Sequence, residues 1–359
     1  MEDTMKAVLI DKPTKGADVT LSEVPVPQAR PGWVLVKIKA FGMNHSEEIL
    51  REFEIENDYI RKPVIPGIEC VGEIADPSDS GLAKGQKVVS LMGGMGRSFN
   101  GSYAEYALLP IHHVFPVESN LSWEEMGAMP ETYFTAWGSL FQCLRLQPED
   151  RLLIRGATCA LGYVAIQLAK ALGCRVIGTT HRESKMQLLR DAGCDECLLD
   201  DRSLRGRVHG VTKALDLVGI RTVQDTMLSV EQGGIVCNTG VLGKVYEWNH
   251  FDPIKDIPNG VCLTGFYSND PTTEMMQDIY HFMDAHHLRP LIGRVYDFKD
   301  IREACIALDE GRINGKIVVR VGNRKQISEE YIRGSSDGAA DFFEMQEIYL
   351  CDLLINYSI

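Results

Sequence analysis

The stretch that most constrains this chain is residues 151–185, RLLIRGATCALGYVAIQLAKALGCRVIGTTHRESK. An apolar run at 152–154 fits a buried strand, and the small residues Gly156, Ala157, Thr158, Cys159, Ala160, Leu161 and Gly162 turn the chain. Val164, Leu168 and Leu172 then recur near helical spacing, and Gly173 stops the helix. A second apolar run at 176–179 completes a βαβ unit. In such a unit the small turn residues let a pyrophosphate approach the backbone, and the helix start offers free N–H groups and the positive end of its dipole. The three positions of the glycine fingerprint read Ala157, Cys159 and Gly162, a loose match on its own.

The end of the second strand sharpens the reading. A carboxylate there binds the ribose 2′-hydroxyl of NAD. This chain has Thr179, Thr180, His181, Arg182 and Lys185, with no acid before Glu183. Hydroxyls and cations suit a 2′-phosphate, so NADP(H) is the expected cofactor. Cys159 also sits at the helix start, where a thiol is favoured in its anionic form. This predicts a redox-sensitive thiol when the cofactor is away.

Around this unit the pattern divides the chain. Residues 1–121 show short apolar runs at 7–10, 34–40, 71–74, 87–91 and 103–109, cut by Gly and Pro, and one helical stretch at 46–53; they read as a β domain. Ser122 and Glu125 form a capping-box pair that opens a helical region up to residue 143. Strands expected at 196–199, 214–218, 235–239 and 261–266 then alternate with helices, the mark of a parallel sheet covered on both faces. A helix at 273–286 and a last apolar strand at 315–319 follow, the latter returning to the β domain. Residues 321–359 read equally as a docked amphipathic helix, with Phe342, Met345, Tyr349 and Leu353 in register, or as a disordered appendage.

Charge and cysteines limit the partners. A net charge of −13 disfavours nucleic acid and anionic membranes. No apolar run reaches a membrane span, and the acidic N-terminus is unlike a signal peptide. Ten scattered cysteines suit a reduced cytoplasmic protein. Cys194 and Cys197 form the one C-x-x-C, too little for a zinc site.

Several stretches carry a family resemblance: Pro31-Gly32-Trp33-Val34-Leu35-Val36, Gly42-Met43-Asn44, Pro66-Gly67-Ile68-Glu69, Thr132-Tyr133-Phe134-Thr135-Ala136-Trp137, Gly233-Gly234 and Gly315-Lys316-Ile317-Val318-Val319. Over residues 1–320 the chain resembles the medium-chain dehydrogenase/reductase superfamily, and within it the zinc-independent quinone oxidoreductase branch. The resemblance implies an α/β fold. A GroES-like substrate domain (1–121 and 267–320) would carry an inserted Rossmann domain, a doubly wound parallel sheet binding NADP(H) (122–266). Zinc alcohol dehydrogenases have a cysteine at the place of Asn44 and a histidine at that of Ile68, and their third ligand aligns with Glu131. Asn and Ile cannot replace those ligands, so no metal is expected.

The implied activity is hydride transfer from NADPH to a quinone or enone, without zinc. Asn44 is the expected donor to the developing oxygen. The tyrosine that often follows in this branch is Ile49 here, which leaves Tyr59 as a nearby substitute. Thr135, Val218, Gly219, Asn238, Thr239, Gly240, Val241, Phe266 and Asn314 are the further cofactor contacts carried over. A homodimer joined at the edge strand near 261–267 is also implied. An enoyl or aldehyde reductase, and a non-enzymatic NADPH-binding structural or RNA-binding protein, stay open as alternatives.

Overall fold

The computed structural model describes residues 3–322, so the expectations for the tail lie outside the described residues. Six parallel strands form one sheet: Glu196–Leu199, Arg175–Thr180, Arg151–Arg155, Lys213–Asp216, Ile235–Asn238 and Cys262–Gly265, in that spatial order. In chain order this is 3-2-1-4-5-6, the doubly wound arrangement. The central strands have apolar middles because both faces of the sheet are covered there. Leu152, Ile154, Val176, Leu215 and Cys237 point into a core shared with the helix Ala160–Leu172. Their neighbours Leu153, Ile177, Ala214 and Val236 point the other way, against Leu204, Val223 and Met227. Alternation with period two is thus hidden inside continuous apolar runs.

The second large sheet orders Ile292–Asp297, Lys316–Arg320, Trp33–Met43, Glu69–Asp76, Lys87–Leu91 and Val114–Pro116, with Tyr106–Pro110 also on Trp33–Met43. A separate hairpin pairs Thr4–Val8 with Leu21–Pro25. Met5, Val36, Phe41, Val64 and Tyr103 lie in this part's buried core. The strand Lys316–Arg320 runs antiparallel to Trp33–Met43, with Ile317 opposite Met43 and Val318 opposite Gly42. This register decides the site, because it carries Lys316 to the level of Asn44.

Some expected bounds shift. The helical region after Ser122 breaks at Pro130 into Trp123–Gly127 and Pro130–Trp137, followed by a wide π-type turn, Gly138–Cys143. Proline lacks the N–H that would continue the first helix. The capping box is present: Ser122 Oγ accepts from Glu125 N at 3.2 Å, and Ser122 N donates to Glu125 Oε2 at 2.8 Å. The fourth parallel strand ends at Asp216 rather than 218. The buried Asp216 carboxylate accepts from Val218 N and Gly219 N, both at 2.9 Å, which turns the chain early. Sequence patterning misses the strands Leu21–Pro25, Val114–Pro116 and Ile292–Asp297, which alternate weakly or are short. No helix among the described residues is long and apolar enough to cross a membrane.

Candidate active site

The carboxyl ends of five parallel strands open on a cavity of about 430 Å3, lined by Gly156, Thr179, His181, Asp200, Val218 and Leu242 among others. Gly156 takes a left-handed φ of 78° at the end of the first strand, and its N–H donates to Thr179 Oγ1 at 3.1 Å. A Cβ on Gly162 would collide with the Ala157 backbone, so the helix start rests directly on the turn. Ala157 is fully buried, whereas Gly156, Thr158, Cys159, Ala160 and Leu161 are half-buried and accessible. Thr158 and Thr180 share a hydroxyl contact at 3.2 Å across the turn. The buried Asn238 Oδ1 has no hydrogen-bond partner among the described residues. A glycine turn before a thirteen-residue helix, a cavity across the strand ends and an unsatisfied amide oxygen fit a dinucleotide.

The floor of this cavity is a charged network that sequence patterning does not flag. Arg155 is fully buried in the core of the sheet. It donates to Asp200 at 2.7 and 2.9 Å, to Asp225 at 2.7 Å, and to Thr222 O and Thr226 Oγ1 at 3.1 Å. Burial pushes the Asp200 carboxyl up, but its bonds to Arg155 outweigh this and hold it below the usual carboxylate range. Asp200 therefore stands at the strand end already neutralised.

Arg182 and Lys185 sit beside the turn, forming no ion pair with any described residue. Burial and the nearby Arg182 lower the Lys185 ammonium, while Cys159 raises it. The cavity wall holds three further cations that the sequence reading overlooked: Arg202, Arg221 and Lys244. They come from loops after three different strands, so no single motif announces them. The expectation for Cys159 is corrected. Its thiol is pushed up by burial, which outweighs the helix-start N–H groups and Lys185, and its Sγ accepts from Gly162 N at 3.3 Å.

A second cluster forms where the helix Pro130–Trp137 meets the second sheet. Asn44 caps the helix His45–Glu52, and its N–H donates to Glu47 Oε2 at 2.5 Å. Its Nδ2 donates to Glu69 Oε1 at 2.8 Å, and its Oδ1 accepts from Lys316 Nζ at 2.6 Å. Lys316 also meets Glu69 Oε1 at 2.7 Å and Thr132 Oγ1 at 2.8 Å. Glu69 Oε2 accepts from Glu131 N at 2.6 Å. The glycine of the Gly42-Met43-Asn44 motif now has a reason, since a Cβ there would strike Glu69 and Lys316. Burial, helped by Glu69, raises the Glu47 carboxyl to about 7. Glu131 is also raised by burial; Lys316 lowers it and Glu69 raises it further. Thr135 Oγ1 and Ser268 Oγ donate to Glu131 Oε1 at 2.8 and 3.4 Å. Thr239 meets Ser139 at 2.8 Å, which joins the fifth strand end to the turn Gly138–Cys143.

The remaining expected residues separate. Tyr59 is 60% exposed and stands outside the hydrogen-bonded cluster around Asn44, so the structure gives it no catalytic contact. Phe266 lies edge-on to Phe134 with centroids 5.5 Å apart and covers Gly138, a packing role. Asn314 is an exposed turn residue before Gly315. Val218, Gly219, Gly240 and Val241 follow the fourth and fifth strands at the cavity side, and Gly240 packs directly on the Leu217 backbone.

Comparisons with known proteins agree with this layout. Residues 30–119 match the alcohol dehydrogenase GroES-like domain, and residues 192–319 match the zinc-binding dehydrogenase domain; together they cover more than half of the chain. The quinone oxidoreductase of Homo sapiens is 26% identical over 299 residues, covering 79% of this chain and 87% of its own. The alcohol dehydrogenase of Geobacillus stearothermophilus is 26% identical over 355 residues, covering 88% and 99%. Among solved structures, an NAD-dependent alcohol dehydrogenase superposes with a TM-score of 0.76 at 26% identity, over 89% of this chain and 100% of its own. The quinone oxidoreductase from Coxiella burnetii gives 0.75 at 22% identity over 89% and 100%. The chain belongs to the medium-chain dehydrogenase/reductase superfamily, whose members bind a nicotinamide cofactor, NAD or NADP. It is an oxidoreductase similar at low identity to quinone oxidoreductases.

The name of the second matching domain raises zinc. Ile68, at one ligand position, is a buried aliphatic side chain. Glu69 is already engaged by the Lys316 ammonium, which would repel a second cation. Among the described residues no group of three or more His, Cys, Asp or Glu side chains gathers around a common point. The residues present do not fit a zinc ion.

Proposed function

We propose that this protein is an NADPH-dependent, zinc-independent reductase of quinones or α,β-unsaturated carbonyls. The observation that carries the reading is Asn44, a half-buried amide held between a carboxylate and an ammonium. When bound, the cofactor supplies the hydride. On an enone, hydride addition makes a C–H bond at the β-carbon and drives an electron pair onto the carbonyl oxygen; on a quinone, hydride addition at one carbonyl oxygen makes an O–H bond and drives an electron pair through the ring onto the other oxygen. The Asn44 amide donates to that oxygen as its charge grows. A proton from solvent completes the quinol or carbonyl product. Thr135 and Thr239, tied to Glu131 and Ser139, hold the side of the cleft where the nicotinamide ring would rest.

The cations support NADPH over NADH. Arg182 and Lys185 stand by the turn, while Arg202, Arg221 and Lys244 line the cavity. Losing charge-assisted contacts to a 2′-phosphate costs about 1.5–3 kcal/mol, so NADPH is expected to bind at least about tenfold tighter than NADH. Arg182→Ala or Lys185→Ala narrows that ratio. Equal affinity for the two cofactors in the unaltered protein overturns the preference. The reaction is tested by turnover with NADPH, 1,2- and 1,4-quinones and small enones, before and after chelation. Activity lost on chelation and restored by zinc would reject a metal-free mechanism. The nine cysteines among the described residues are free thiols, in keeping with a reducing cytosol.

A homodimer is part of the reading. Cys262–Gly265 is the sheet's edge strand, with both ends exposed, and Tyr267 beside it is 79% exposed. Pairing this edge across a two-fold axis would cover it. Light scattering at micromolar concentration is expected to give twice the chain mass; a monomer counts against it.

A further inference from the structure

Lys316 and Asn44 are 272 residues apart in sequence, yet the antiparallel register sets them side by side. The three acceptors of the Lys316 ammonium are Asn44 Oδ1, Thr132 Oγ1 and Glu69 Oε1, one for each of its protons. Glu69 has both oxygens engaged, Oε1 by Asn44 and Lys316 and Oε2 by the Glu131 N–H. The arrangement permits one orientation of the Asn44 amide. Rotating it by half a turn would set its NH2 against the ammonium and its oxygen against the carboxylate. One amide proton goes to Glu69, and the second is left for a ligand. Glu69, Glu47, Lys316 and Thr132 are all buried, the last two 4% exposed. Asn44 is half-buried, so beside these four the amide is the group open to a ligand.

We infer that Lys316 and Glu69 are positioning residues that lock the Asn44 amide as a donor to the substrate oxygen. The inference rests on the proposed reduction and names what makes its oxyanion site work. An ammonium on the amide oxygen polarises the amide and strengthens its N–H as a donor. It acts at the moment negative charge develops, so its removal lowers kcat and leaves cofactor affinity alone.

Lys316→Met leaves Glu69 buried without its counter-ion, so its folding is expected to suffer. The double variant Lys316→Met with Glu69→Gln removes both charges and serves as the folded reference, checked by NADPH affinity. Its kcat for quinone or enone is expected to fall about 10²–10³-fold at unchanged cofactor affinity. Recovery to within about threefold of the unaltered rate would make the pair merely structural and overturn the inference. A second readout needs no turnover. 4-Nitrophenol is titrated against the unaltered protein saturated with NADP+, following the visible absorbance of its phenolate. Bound phenol is expected to ionise at lower pH than free phenol, and the double variant to lose about one pH unit or more of that shift. No shift in the unaltered protein, or an equal shift in the double variant, overturns the inference. A protein that reduces neither quinones nor enones but shows a Lys316-dependent phenol shift refutes the proposed substrate class and keeps the oxyanion site.

Discussion

Replacing Arg155 with methionine is expected to destabilise the protein by about 3–5 kcal/mol, the cost of leaving buried carboxylates without their partner. The methionine fills most of the apolar stem's space but supplies none of the five hydrogen bonds to Asp200, Asp225, Thr222 and Thr226. Asp200 is then left at the sheet's end with burial raising its pKa and no guanidinium to oppose it. At roughly 2 °C per kcal/mol for a unit of this size, the melting midpoint drops by about 6–10 °C. Cofactor affinity is expected to fall as well, because Asp200 and Thr222 line the cavity. The sign with pH follows from the depressed carboxyl. Stability from this pair is present above the unfolded pKa of Asp200 and is lost as pH falls through its lower folded pKa. The variant should therefore lose less on acidification than the unaltered protein. Thermal melts over a pH series check this. A midpoint lowered by under about 2 °C at neutral pH would show that the network contributes little.

Asn44→Ala is expected to lower kcat about 10²–10³-fold with little change in cofactor affinity, the effect of deleting one preorganised donor to a developing oxyanion. The fold should survive. The helix His45–Glu52 keeps the half of its cap in which residue 44's backbone N–H donates to Glu47, so the loss at the N-cap is at most about 0.5–2 kcal/mol. Asn44→Asp should be worse, since it sets a carboxylate beside Glu69 and offers the substrate oxygen an acceptor instead of a donor. Steady-state kinetics together with NADPH titration separate the two effects. A variant in which KM for the acceptor rises while kcat stays unchanged would reduce Asn44 to a binding contact.

Much of this molecule was legible from local pattern. The βαβ unit at 151–185 announced itself through strand, small-residue turn and helix, all set by neighbours in sequence. The capping box at Ser122 and Glu125 formed as read, because its two hydrogen bonds span three residues. Gly42, in the motif that proposed Asn44, leaves room for Glu69 and Lys316.

What the sequence by itself determined, then, is where most of the strands and helices and the small-residue turn of the βαβ unit lie, because periodicity and turn chemistry act over a few residues. The tertiary structure alone decided which charges meet. Arg155 sits in an apolar strand and reads as an exception until Asp200 arrives from the end of another strand and Asp225 from the helix Val223–Met227. Arg202, Arg221 and Lys244 join one cavity wall only because three strands end there. Lys316 reaches Asn44 and Glu69 through the register of a strand that returns late in the chain. Coulomb attraction and hydrogen bonding depend on distance in space, and separation along the chain holds no record of it.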